Sequence, residues 1–155
     1  MNKFPAILLA AACAGCLASA PRPPVNWTID IETDAKSATA IVCAPYGGQR
    51  IAVLRPDGSI AFDAFNVFAA APASIIKDAV VARGGKGALV VRRLALDCRA
   101  PGRRDAVVEL EITDGTRLAK GSAAESTSSG NFSSAFSRAF ERAYGKAAEE
   151  FRSGK

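Results

Sequence analysis

The chain has 155 residues, a formal charge of +5, four cysteines and no histidine, and 49% of it is hydrophobic. Without histidine, the usual base of a hydrolytic triad and the commonest transition-metal ligand are both missing. The arginine pairs Arg92-Arg93 and Arg103-Arg104 are scattered, with acids close behind. They read as solvated strand ends and turns, not as the clustered basic face that nucleic-acid binding needs. The apolar fraction is that of a folded chain of one domain, but so much of it is alanine that large core side chains must be few.

The amino terminus, MNKFPAILLAAACAGCLASAPRPP, starts with one lysine and runs apolar through small residues to Cys16. That run falls short of the roughly 20 residues a membrane span requires. A basic start, a short apolar segment and small residues before a cut describe an export signal, over residues 1–15. Ala14-Gly15-Cys16 resembles the small–small–Cys ending of a bacterial lipoprotein signal, in which the new N-terminal cysteine takes the lipid; Cys13 stands where that pattern normally has leucine. Cys16 is the expected lipidation site, for palmitate-type acyl chains. Cys13 is a rival acceptor, and plain cleavage after Ala18 or Ala20 is the non-lipidated alternative. A thioredoxin-type pair is the weaker reading of CAGC, because no strand precedes it. Removing residues 1–15 leaves 140 residues and, with Lys3 gone, a charge of +4. Residues 16–26 then form a tether in which Pro21, Pro23 and Pro24 favour extended backbone, and the folded domain is expected over 27–152. Leu17 rather than aspartate after the lipidated cysteine points to outer-membrane delivery by the familiar sorting rule.

In chain order, TAIVCAPY (39–46) reads as a first strand ended by Pro45. Two apolar runs, Ile51–Leu54 and Ile60–Phe62, flank RPDGS. Pro56 suits the first central position of a turn and Gly58 a positive φ, so this is a hairpin in which Asp57 serves the turn. The period then changes. Ile75, Ile76, Ala79 and Val80 share one face of a short helix, with Pro72 in its first turn and Gly84-Gly85 after its end. Phe62, Phe65 and Phe68 lie on the approach, where they either cap the core or line an exposed apolar groove.

GALVVRRLALDC (87–98) and DAVVELEIT (105–113) are two strands joined by RAPGRR. In the second, Val108, Leu110 and Ile112 take one face and Glu109 and Glu111 the other, as in a sheet with one solvated side. A short strand is expected around 116–125 and a loop at 126–131. The chain closes on a long helix, capped by Asn131 or Ser129, with Phe132, Phe136 and Phe140 four apart and Ala139, Ala143, Ala147 and Phe151 continuing the stripe. Such a stripe reads first as core. As surface, Phe132, Phe136 and Phe140 would join Phe65 and Phe68 in a partner-binding face.

Cys43 and Cys98 remain once the signal is removed, and an oxidising compartment would permit a disulfide between them. Two cysteines without histidine make a poor metal site. RGGKG (83–87) lacks the frame and following Ser/Thr of a phosphate loop, and it precedes a strand. No cofactor, metal or nucleic-acid partner is expected. No catalytic residue stands out, since Asp57, Asp63, Asp97 and Glu109 read as turn caps or a solvated strand face. The expected fold class is α+β: a single domain, a mainly antiparallel curved sheet with two helices packed on one face.

The succession of tether, WTIDIE, first strand, IAVLRPDGSIAFDAFNVFAAAPASII, paired strands and terminal Ala/Phe helix resembles a known family. These are the ABC-type transport auxiliary lipoproteins, the PqiC-like component associated with MCE-protein lipid transport systems. The resemblance covers most of residues 16–151. It rests on the ending at Cys16, Trp27 in a place usually held by tyrosine, Phe65 and Phe68 leading into Pro72, and the helix after Phe132. It implies a non-catalytic lipoprotein, anchored in the bacterial outer membrane and facing the periplasm. Such a protein docks or supports a lipid conduit built from an MCE-domain protein with a separate permease and ATPase. Homo-oligomer formation, the lipid carried and its direction stay open. The rival reading is an outer-membrane structural or assembly-factor lipoprotein with no part in lipid transport.

Overall fold

The structure, a computed structural model, describes residues 25–27, 39–81, 88–128 and 131–154. Cys13, Cys16, Gly84-Gly85 and Ser129, on which expectations above rest, lie outside them. Among the described residues the elements are β1 (Val25–Trp27), β2 (Thr39–Val42), β3 (Arg50–Leu54), β4 (Ile60–Phe68), α1 (Pro72–Val81), β5 (Ala88–Asp97), β6 (Asp105–Thr113), β7 (Leu118–Ser126) and α2 (Phe132–Ser153). β1 includes Val25 and Asn26, which the sequence reading assigns to the tether.

The strands form one open sheet in the order β1-β4-β3-β5-β6-β7, with β2 also paired to β5. The long β5–β6 and β6–β7 ladders are antiparallel, as is the β3–β4 hairpin. β1 on β4, β2 on β5 and β3 on β5 are parallel. The domain is therefore α+β with a mixed sheet, antiparallel through most of its register. β2 and β3 behave as two pieces of one interrupted strand. β2 follows the first half of β5, from Thr39↔Ala88 to Val42↔Val91, and β3 follows the second half, from Ala52↔Ala95 to Leu54↔Asp97. The first strand, expected to reach Tyr46, stops at Val42. Cys43 still donates its N–H to Val91, but Pro45 has none to give.

The two-residue period of β6 decides which face is covered. Ala106, Val108, Leu110 and Ile112 are buried on the side where α2 packs, while Val107, Glu109 and Glu111 face the other way. Register extends the buried side to Leu89, Val91, Leu94 and Leu96 of β5 and to Ala119 and Gly121 of β7. α2 meets it with Phe132, Ala135, Phe136, Ala139, Phe140, Ala143 and Ala147. Phe68, at the end of β4, meets Phe136 edge-on with 5.6 Å between ring centroids. The same core takes Ile76, Ala79 and Val80 of α1, so both helices share one face of the sheet.

Alanines on α2 let the helix sit low, and Gly121 is the point of closest approach. A Cβ there would lie 2.8 Å from the Ala143 carbonyl carbon and 3.1 Å from the Ala147 Cβ. Polar side chains of α2 then reach round to β7. Glu150 accepts from the Lys120 N–H at 3.0 Å, Lys146 donates to the Ser122 carbonyl at 2.9 Å, and Arg142 pairs with Glu125 at 2.5 Å. Edge strands need such cover against pairing with other chains. Asn131 occupies the N-cap position of α2 but makes no side-chain cap bond. Its amide oxygen is taken by the Ser134 hydroxyl instead, which corrects the expected capping role.

Candidate functional site

The face without helices has a charged part and an apolar part. The charged part is made by a bulge in β5. Val91 pairs with Leu110 and Arg93 with Glu109, which leaves Arg92 as an extra residue. A bulge lets two consecutive side chains leave the covered side, so this arginine pair sits in mid-strand and not at a strand end. Arg92 Nε and Nη2 lie 2.8 and 2.7 Å from Glu111 Oε2. Lys120 Nζ stands 3.6 Å from the other carboxylate oxygen, and Arg93 pairs with Glu109 at 2.8 Å. Arg92, Glu109, Glu111, Lys120 and Ser122 ring a shallow depression of about 320 Å³. The Arg92 hydrogen bond holds the Glu111 carboxyl below its usual range. Glu111 is the charge partner of both Arg92 and Lys120.

The other end is shaped by the two hairpins. Asp57 Oδ1 accepts the Ser59 N–H at 2.9 Å and its hydroxyl at 2.7 Å. Gly58 has a φ of 81°, so Asp57 serves the turn as its sequence context implies. Asp97 is gripped by Arg99, and Asp105 by Arg103 at 2.7 Å, around a second shallow depression of about 480 Å³.

β4 supplies the apolar part. Arg50 pairs with Val67 but Ala52 with Phe62, so residues 63–66 loop out of the ladder. Asp63 closes that loop: its Oδ1 accepts the N–H groups of Phe65 and Asn66 at 2.8 and 2.9 Å, and its Oδ2 accepts from the Asn66 amide. Burial works to raise the Asp63 pKa, but these hydrogen bonds outweigh it and the carboxyl is held below its usual range. Register running from Val107 through Ala95 and Ala52 to Phe62 puts Phe62 on the face opposite α2, and the path Asp105–Asp97–Leu54–Ile60 does the same for Ile60. Ile60 is 40% exposed, Phe62 44%, and Phe65, on the loop, 51%.

Of the five aromatic residues expected at a partner surface, only Phe65 is exposed. Phe68, Phe132, Phe136 and Phe140 are buried, which corrects that assignment. The physical reason is that α2 otherwise meets the sheet with alanines, so Phe132, Phe136 and Phe140, with Phe68 from β4, fill the space between helix and sheet. Phe62, left between core and groove by the sequence, joins the surface. The alternation Ile60–Phe62 signalled a shared face, but which face depends on pairing with β3.

Cys43 and Cys98 are free thiols, so the disulfide does not form. Cys43 bonds to Val91 midway along β5, while Cys98 bonds to Leu54 beyond its end. Extended chain between Val91 and Cys98 spans on the order of 20 Å, against the roughly 7 Å Cα separation a disulfide tolerates. Arg92 approaches Cys43 Sγ at 3.5 Å, and burial pushes the Cys98 thiol pKa up. Among the described residues no three His, Cys, Asp or Glu side chains gather to hold a metal ion, and no helix is long and apolar enough to cross a membrane.

No protein-family model and no curated protein matches the chain. Among solved structures it is similar to the crystal structure of protein XCC0632 from Xanthomonas campestris, described under the family label DUF330. The identity is 15% and the TM-score 0.55, over 84% of this chain and 99% of that one. It is also similar to the crystal structure of an uncharacterized protein, at 12% identity and a TM-score of 0.50, over 84% of this chain and 95% of the other. At these identities the likeness is one of fold, and it spans nearly the full length of both neighbours.

Proposed function

We propose that the chain is a non-catalytic lipoprotein of the outer membrane, anchored through Cys16 and facing the periplasm, that docks or supports an MCE/ABC-type lipid transport system. The observation that supports this reading is the one-sided domain. Both helices occupy one face of the sheet, and among the described residues no helix lies on the other, which carries the ion pairs of Arg92, Arg93 and Lys120 and the half-exposed Ile60 and Phe62. Two depressions among the described residues are shallow and lined by charge pairs, which suits contact with a protein. A tether running from Cys16 to Val25 reaches about 30 Å at most, so that surface would work close to the membrane. Acyl chains contribute about 0.8 kcal/mol per buried methylene, enough for several to hold the domain there.

Two experiments test the reading. Cys16→Ser should abolish incorporation of labelled palmitate; undiminished labelling would move the acceptor to Cys13. Capture of the lipidated protein in mild detergent, beside a signal-deleted form, should enrich an MCE-domain protein with its permease and ATPase. Reproducible enrichment of an outer-membrane assembly machine without them would replace lipid transport by the structural or assembly reading.

A further inference from the structure

The ion pairs on the sheet face opposite the helices share one arrangement. Arg92 and Lys120 are paired with Glu111, and Arg99 and Arg103, from the β5–β6 connection, with Asp97 and Asp105. These four cationic side chains are 54–69% exposed and the three carboxylates 12–18%. The acids are therefore recessed and the cations face outward. A guanidinium or ammonium group carries more N–H donors than such a recessed carboxylate takes up. Each group of charges rings one of the two shallow depressions. Arg93 and Glu109, exposed alike, lie between them. From Asp105 to Glu111 the row covers about 20 Å of β6.

We infer that this face docks an extended acidic segment of a protein partner, its carboxylates meeting Arg92 and Lys120 at one end and Arg99 and Arg103 at the other. An extended chain of about six or seven residues spans the row. Carboxylates match the guanidinium fork with paired, charge-assisted hydrogen bonds, and complementary charge fixes register and excludes wrong partners. The recessed acids hold the arginines in place before the partner arrives, which reduces the cost of ordering them on binding. Ile60 and Phe62, half-exposed on the same face, add apolar contact, and arginine and aromatic residues are the types enriched at protein interfaces. A bilayer surface attracts a cluster of excess positive charge. Here Asp97, Asp105, Glu109 and Glu111 nearly balance the cations, which favours a partner recognised by the placement of its carboxylates.

This inference rests on the reading of the domain as a docking component, but its test involves no transport partner. The lipidated full chain, in non-ionic detergent, is titrated into a fluorescein-labelled heptaglutamate peptide and its glutamine counterpart, and anisotropy is followed. The glutamate peptide should bind at least several-fold more tightly. Arg92→Gln, Arg99→Gln, Arg103→Gln and Lys120→Gln should each weaken it by about three- to tenfold, as for loss of a charge-assisted hydrogen bond. Lys77→Gln on α1 and Arg152→Gln on α2 remove the same charge from exposed helix positions and should change binding by less than about twofold. Lys120→Gln removes the longest of these contacts, 3.6 Å from Glu111, and so reads binding even where an arginine variant loses stability. Equal binding of the two peptides, or equal losses from the helix variants, would overturn the inference. In intact cells, p-benzoylphenylalanine at Ser122 should cross-link to a peptide rich in aspartate and glutamate; adducts chiefly to lipid or to a second copy would overturn it as well. Failure of the capture experiment would leave peptide binding in place, and absence of peptide binding would leave the captured partners unchanged, so the two failures are distinguishable.

Discussion

Replacing Gly121 with alanine tests how closely α2 is held to the sheet. The new Cβ would lie 2.8 Å from the Ala143 carbonyl carbon and 3.1 Å from the Ala147 Cβ. Ordinary carbon contacts start near about 3.5 Å, and a carbonyl in mid-helix cannot swing aside as a side-chain tip can. The nearest obstacle is the Ala143 carbonyl oxygen itself, so the helix must lift by roughly 1.5 Å, opening the interface where Phe136, Ala139, Phe140, Ala143 and Ala147 are fully buried. Overpacking costs about 1–3 kcal/mol, and the upper end applies because the obstacle is backbone. Alanine offsets about 0.5–1 kcal/mol of that by being the better strand residue. The net loss of about 2 kcal/mol should lower Tm by roughly 6–10 °C in a domain of this size. Gly145 lies on the exposed side of the same helix with nothing within 4 Å, and its alanine variant should gain up to about 1 kcal/mol. Thermal and urea unfolding followed by circular dichroism compare the pair. A Gly121→Ala protein melting at or above the parent temperature would refute the close approach of α2 to β7.

Three further outcomes follow from named contacts. Phe136→Ala should destabilise by about 3–5 kcal/mol, as for a fully buried ring, while Phe65→Ala, half exposed, should stay within about 1 kcal/mol; denaturant midpoints at constant m-value report both. Alkylation of the signal-deleted protein, unfolded without reductant after air exposure, should modify both Cys43 and Cys98, whereas protection of the pair would show a bond the strand geometry forbids. Hydrogen bonds from the Arg117 N–H and guanidinium and from the Thr116 N–H hold the Asp114 carboxyl at about 2 instead of 3.8. A depressed folded-state pKa contributes stability above the unfolded value and loses it as pH falls through the folded one. Asp114→Asn should accordingly flatten part of the fall in Tm between about pH 4 and pH 2, and an unchanged acid limb would count against those bonds.

What is legible in the sequence is whatever the chain encodes within one element. β6 can be read from Val108, Leu110 and Ile112 alternating with Glu109 and Glu111, because period two alone separates the faces. α2 can be read from its Phe/Ala stripe, and the β3–β4 turn from Pro56, Asp57 and Gly58. The parallel placement of β2 and β3 along one edge of β5 is not encoded locally; it depends on which strands meet. The bulge at Arg92 is hidden for the same reason. ALVVRRLALD supports either an unbroken alternation or a shifted one, and only pairing with β6 decides.

The surface residues follow a sharper version of that rule. Phe65 and Phe68 stand three apart on one strand, yet one is 51% exposed and the other 1%. No propensity separates them. The difference is made by Asp63, whose carboxylate gathers two backbone N–H groups and one side-chain amide and so lifts residues 63–66 out of the ladder. Without the loop, strict alternation would put Phe62, Ala64 and Asn66 on one face and Asp63, Phe65 and Val67 on the other, and Phe68 would follow Phe62 to the uncovered side. With it, Phe62 stays outside while Phe68 turns inward to meet Phe136. An acid that reads in isolation as a turn cap thus sorts the aromatic residues of β4 into core and surface. Asp63→Ala should show this as a coupled change, with lower stability from a displaced Phe68 and altered reactivity of a probe at Phe65. Loss of one effect without the other would mean that the loop and the core are independent.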